Sequence, residues 1–180
     1  LCAEHGWSVI ALGSDADSAA ASQQLKDTGA VKTVNLCGKT TIRQMAAVLR
    51  KCLISLGAES GAAHLACAVG TPNVVLLGGG HFGRFMPYSP LTSVVCLPLE
   101  CYGCSWQCRY ATPHCVRAVK EDIMTEAIRR SLEESTGKPR VFVQESDDWN
   151  PDGTMPLWSW FYHWQKPNTV QVIRLNTEDI

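Results

Sequence analysis

The chain has 180 residues, 46% hydrophobic and 18% charged, with a formal net charge of -1. That length is about one domain's worth and can bury a core without staples. The apolar content excludes disorder as the main state, the near-zero charge excludes an electrostatic nucleic-acid binder, and no apolar run approaches the ~18 residues of a membrane helix. The chain opens on Leu1 with nothing that reads as a signal peptide, so it is expected to start part-way into a larger protein.

In chain order, Ser8 to Leu12 is a short apolar run ending at Gly13. The Ala-rich stretch 15–29 carries Asp15 and Asp17 at its start and Gly29 at its end, which predicts a helix. Residues 31–36 are rich in β-branched side chains and predict a strand, broken at Gly38. Thr40 or Thr41 can cap a helix through about Lys51, whose apolar positions Ile42, Met45, Ala46, Leu49 and Leu53 fit a 3.6-residue period. A strand at 52–57, a helix from Ala62 to about Val69, strands at 73–77 and 93–97, a helix at 121–134 and a strand-like Val141-Phe142-Val143 complete the pattern. Short apolar strands alternating with helices predict βαβ units, hence an α/β fold with an open doubly wound (Rossmann-like) parallel sheet covered on both faces. Composition changes after Ser135: Thr136-Gly137-Lys138-Pro139 is linker-like, and the rest holds Trp149, Trp158, Trp160 and Trp164, a tail too aromatic to be disordered throughout.

Two strand ends carry candidate ligand-binding turns. Leu56-Gly57-Ala58-Glu59-Ser60-Gly61-Ala62-Ala63-His64 reads as strand, turn and helix start. A helix N-terminus beyond a strand's carboxyl end offers free N–H groups and a positive dipole end to a phosphate. Gly61 would let the phosphate approach, Ser60 could donate to it, and Glu59 could accept from sugar hydroxyls; alternatively Ser60 is only a cap and Glu59 a solvated acid. His64, one turn on, reads better as a satisfied core histidine. Gly78-Gly79-Gly80 permits close backbone approach of a ligand or serves only a tight turn, and His81 and Arg84 follow it. Gly38-Lys39-Thr40 is not a P-loop, because Thr33 stands where the earlier glycine is needed. Asp17 lies where a ribose hydroxyl is commonly held, although an acid there also suits a helix start.

The nine cysteines fall below the ~8–10% share of a disulfide scaffold. Cys2, Cys37, Cys52 and Cys67 are scattered, whereas Cys101, Cys104, Cys108 and Cys115 are spaced C-x2-C-x3-C-x6-C just after Cys96. Reduced thiols indicate a cytoplasmic protein, and the cluster suits a structural iron or zinc finger, with Arg109 and Arg117 offsetting its charge. Two disulfides or free thiols are the alternative. No catalytic metal is expected.

The ordered series Asn35-Leu-Cys-Gly38-Lys-Thr-Thr-Ile42, Met45 to Leu49, Leu53 to Ala66 through Glu59-Ser60-Gly61 and His64, and Gly70-Thr-Pro72 to Gly78 resembles the carboxy-terminal half of glycosyltransferase family 9, the ADP-heptose heptosyltransferases. The resemblance covers about residues 8–135. It implies the donor half of a GT-B enzyme: residues 1–136 as a nucleotide-sugar-binding domain incomplete at its start, with 101–115 as finger and 137–180 as tail. The four-cysteine finger resembles the autotransporter-adhesin branch, which implies iron, transfer to protein hydroxyls and assembly into homo-oligomers; the acceptor expected overall is a protein or glycan hydroxyl. By the same resemblance Glu59 would contact the donor sugar, Ser60, Gly61 and Ala62 the diphosphate, Gly38, Lys39 and Thr40 the base, and Asp17 the ribose, with His64, Gly79 and Gly80 alongside. The family usually has Asp at the place of Glu59 and a different turn at the place of Gly78-Gly79-Gly80. The base would sit on an amino-terminal acceptor domain, so these 180 residues alone are expected to bind nucleotide weakly and transfer nothing. An epimerase acting on nucleotide sugars, or a non-enzymatic metal-finger assembly module on a degenerate nucleotide-binding scaffold, are the competing readings.

Overall fold

The computed structural model describes residues 1–81, 87, 89–99, 101–133, 137–145 and 171–176. They form an α/β fold with two parallel sheets, in two compact units that divide between Leu49 and Arg50. This division falls inside the segment read from sequence as one domain. Arg84, His163 and the tryptophans at 149, 158, 160 and 164 lie outside the described residues.

The first unit contains α1 (Cys2–His5), β1 (Ser8–Ala11), a 3-10 turn at Asp15–Asp17, α2 (Ser18–Lys26), β2 (Lys32–Asn35) and α3 (Ile42–Leu49). β1 and β2 pair in parallel from Ser8 opposite Lys32 to Ala11 opposite Asn35. α2 is the crossover between them, and the Asn35 amide ties β2 to it by donating to Ser18 O at 2.8 Å and Ser22 Oγ at 2.6 Å. This helix is shorter than its composition suggests. Asp17 tightens the first turn onto Ser14, and the Thr28 hydroxyl donates to Leu25 O at 3.0 Å, satisfying a terminal carbonyl. Of the two threonines that could cap α3, Thr41 does so: its Oγ accepts the Gln44 N–H at 3.3 Å, while Gln44 Oε1 accepts the Thr41 N–H at 2.9 Å.

The second unit contains β3 (Ser55–Ala58), α4 (Gly61–Ala68), β4 (Asn73–Leu77), β5 (Thr92–Cys96), α5 (His114–Arg117), α6 (Glu121–Glu133), β6 (Arg140–Gln144) and β7 (Gln171–Leu175). Its sheet runs β3-β4-β5-β6-β7, every pair parallel. Among the described residues the strand order never reverses, so these five strands by themselves show no switch point of a doubly wound fold. The carboxy-terminal segment, read as a tail, supplies two of its strands.

Strand alternation sorts the core by face. Val75, Val94 and Val141 form one row, and Leu77, Cys96 and Val143 the next; both pack against Ala63 of α4. The opposite face meets α5 and α6: Gly78 lies against Val116, and Ser131 Oγ donates to Ser93 Oγ at 2.7 Å. Helices on both faces explain why β4, β5 and β6 are almost wholly buried and read as continuous apolar runs.

Candidate functional site

All strands of the second unit point the same way, so their carboxyl ends form one edge, where ligands of open α/β sheets bind. β3 delivers the chain to that edge at Ala58, and Glu59 and Ser60 turn it into α4. Ser60 has extended backbone (φ -146°, ψ 172°), and its side chain makes no capping hydrogen bond. The hydroxyl therefore does not occupy the first N–H groups of the helix, although the Ala63 N–H turns back to Ser60 O at 3.1 Å. A Cβ built on Gly57 or on Gly61 would meet nothing within 4 Å, so a ligand can approach the backbone here. Glu59 and Ala62 are half-buried; Ser60 and Gly61 are exposed. His64 is exposed too, which corrects the reading of a core histidine: the packing face of α4 is made by Ala63 and Ala66.

The second glycine run is built differently. Gly79 and Gly80 are buried, and their carbonyls accept the N–H groups of Gly103 at 2.7 Å and Ser105 at 2.9 Å. A Cβ on Gly79 would overlap the Tyr102 ring, and one on Gly80 the Trp106 indole. The glycines are thus required by the cysteine-rich loop, which lies across them strand-fashion and stacks two aromatic rings on their α-carbons. Burial drives the Tyr102 phenol well above its ordinary range, with Cys96, Cys115 and Cys101 adding to the effect.

All nine cysteines are free thiols. Cys96, on β5, is buried and pushed up to about 12 by desolvation, an inert core thiol. Cys101, Cys104 and Cys115 are half-buried, whereas Cys108 is exposed. Burial raises the Cys101 thiol, Arg109 opposes that, and Cys115 and Cys104 reinforce it, so both of those lie within electrostatic reach of Cys101. Cys115 Sγ also accepts the Gly79 N–H at 3.5 Å. Among the described residues, however, no group of three or more His, Cys, Asp or Glu side chains is placed to hold a metal ion, so the expected finger is not shown. The sequence spacing supplies four thiol ligands in order, but the loop spends backbone bonds on Gly79 and Gly80 and does not gather three of them around one point.

The family profile described as glycosyltransferase family 9 (heptosyltransferase) matches residues 1–114, which include both turns at the carboxyl ends of β3 and β4. The chain belongs to glycosyltransferase family 9. No curated protein matches it. Among solved structures, the glycosyl transferase family 9 protein from Veillonella parvula DSM 2008 superimposes with a TM-score of 0.58 at 20% identity, over 74% of this chain and 38% of that one. At that identity the likeness concerns the fold, and the present chain spans well under half of that protein's length.

In this family 9 chain the expected donor residues fall in both units. In the first, Asp17 is exposed and its Oδ2 accepts the Ser14 N–H at 2.8 Å and hydroxyl at 2.6 Å; these bonds lower its pKa. The acid therefore builds the turn after β1, as the helix-start reading anticipates. Gly38 has φ +71° and lies against Asp15, joined to the same turn by its N–H to Gly13 O at 3.0 Å. Lys39 Nζ donates to Asn35 O at 3.1 Å, and the Thr40 hydroxyl is enclosed without a hydrogen bond. Glu59, Ser60, Gly61, Ala62 and His64 come together at the start of α4 in the second unit. Sequence reasoning missed Tyr102 and Trp106. The glycine run held the signal, because consecutive glycines in a non-helical segment can mark a flat partner as well as a ligand.

Proposed function

We propose that this chain is the donor-binding part of an inverting glycosyltransferase that takes an ADP-heptose-like nucleotide sugar and passes the sugar to a protein or glycan hydroxyl. The observation that carries the reading is the start of α4: a helix N-terminus at a strand's carboxyl end, not capped by its serine hydroxyl, with open space above Gly61. Family membership supports sugar transfer as the reaction class.

In such a transfer the acceptor oxygen attacks the anomeric carbon, and the bond from that carbon to the diphosphate oxygen breaks. The electron pair leaves on the diphosphate, and the acceptor proton passes to a base expected on an amino-terminal acceptor domain. The part played by α4 is electrostatic: fixed N–H groups and the positive end of the helix dipole face charge that grows as the bond breaks. Glu59, half-buried beside them, can accept hydrogen bonds from sugar hydroxyls.

Isothermal calorimetry of the full-length protein with ADP tests this reading. Gly61→Val fills the open approach and is expected to weaken ADP binding about tenfold or more, equivalent to about 1.4 kcal/mol, with an unchanged melting temperature. Absence of ADP binding by the wild type, or unaltered binding by the variant, would overturn it.

The finer reading, an adhesin-type enzyme of the cytoplasm whose Cys101, Cys104, Cys108 and Cys115 hold structural iron or zinc and which assembles into homo-oligomers, rests on the C-x2-C-x3-C-x6-C spacing. Cys104 and Cys115 lie within electrostatic reach of Cys101, and metal binding would have to draw them together with Cys108, exposed here. Elemental analysis of anaerobically purified protein is expected to give near one equivalent of iron or zinc, lost in Cys104→Ser together with thermal stability. A folded protein with less than about a tenth of an equivalent excludes the finger.

A further inference from the structure

We infer that Trp106 is a positioning residue for the transferred sugar: its indole forms a stacking wall for the apolar face of the donor's pyranose ring. The inference rests on the donor-site reading above and deepens it.

Three observations lead there. First, Ser105 (φ 50°) and Trp106 (φ 61°) are consecutive residues in the left-handed region, and among the described residues no other non-glycine has positive φ. For a bulky residue that conformation is costly and persists only when surroundings enforce it, which is common at ligand clamps. Here the enforcement is visible: the Ser105 N–H is held by Gly80 O at 2.9 Å, the Gln107 N–H by Cys104 O at 2.9 Å, and the His81 ring meets the indole edge-on at 4.1 Å between centroids. Second, Trp106 is 68% exposed. An indole packed over Gly80 yet mostly in water has one face committed to the protein and surface to spare. Third, the place is specific. Gly80 follows β4, and Gly61 follows β3, its parallel neighbour. Both turns leave the same edge of the sheet from neighbouring parallel strands, which pair about 4.8 Å apart. A diphosphate on α4 therefore brings its sugar toward the end of β4. The C–H bonds on one face of a pyranose carry slight positive charge and suit the negative face of an indole.

The test compares ADP with ADP-heptose on the full-length protein by calorimetry. Trp106→Gly removes the ring and suits the positive φ, so the fold is retained; Trp106→Phe keeps a ring. ADP-heptose binding should fall about tenfold in Trp106→Gly and stay within about threefold of wild type in Trp106→Phe, and ADP binding should be unchanged in both. Equal loss of ADP and ADP-heptose would indicate stacking on the base and overturn the proposal, as would unaltered affinity for both. If the wild type binds neither ligand, the donor-site reading falls along with this one; if it binds both and the variants match it, only the stacking wall falls.

Discussion

Gly38 and Gly61 show how differently a single glycine can matter. Gly38 sits at φ +71°, and a Cβ there would lie 2.8 Å from the Asp15 α-carbon, a backbone atom that cannot swing aside. Gly38→Ala is therefore expected to cost about 1–3 kcal/mol, seen as a lower midpoint in urea denaturation. An unchanged midpoint would show that the Asp15 turn yields freely. Gly61 has neither constraint, and its lack of a side chain serves open space. In sequence the two look alike. The pattern puts Gly61 near a ligand and the family resemblance puts Gly38 near one, but only the folded structure separates a glycine required by a neighbouring backbone from one that leaves room. His64 misleads for a related reason: on an Ala-rich helix the periodicity is too uniform to tell which alanines face the sheet.

At the scale of elements, α6 carries its own pH dependence. Glu126 is largely buried and accepts from Arg129 Nη2 at 2.8 Å and Arg130 Nε at 2.5 Å, while Glu133 pairs with Arg129 at 2.7 Å. The hydrogen bond from Arg129 is the main force holding the Glu126 carboxyl below its ordinary range; burial opposes it, and Arg130 adds to it. With the folded pKa depressed, the stabilisation is fully present above the unfolded value and is lost as pH falls through the folded one. Glu126→Gln should thus melt at a lower temperature than wild type at pH 7, and the gap should narrow below about pH 4. A gap that stays constant from pH 7 to pH 3 would rule out this linkage. Regular elements such as α6, β4 and β5 were legible because a long apolar stripe or an unbroken β-branched run leaves one assignment. α1 and α5, four residues each, were not. So short a helix has no periodicity to read, and its existence depends on what it packs against.

For the whole molecule, the alternation of strands and helices disclosed a parallel α/β fold, and the series from Asn35 to Gly78 disclosed the family. The division at Leu49–Arg50 was not visible, because contact density leaves no mark in composition. Neither was the end of the sheet. Val141-Phe142-Val143 announces β6, but β7, Gln171-Val-Ile-Arg-Leu175, is largely exposed over its first four residues and reads as ordinary surface. The cysteine loop was legible as a cluster and misleading as a geometry: spacing specifies which thiols can meet, while the backbone bonds to Gly79 and Gly80 decide where the loop lies.

The strand order of the larger sheet has a temporal meaning. Among the described residues, each strand from β4 to β7 pairs with the one that precedes it in sequence. On the ribosome, where chains emerge amino-terminus first, every new strand finds its template already synthesised and none must wait for a later partner. The sheet can grow in step with translation, one edge advancing from β3 toward β7.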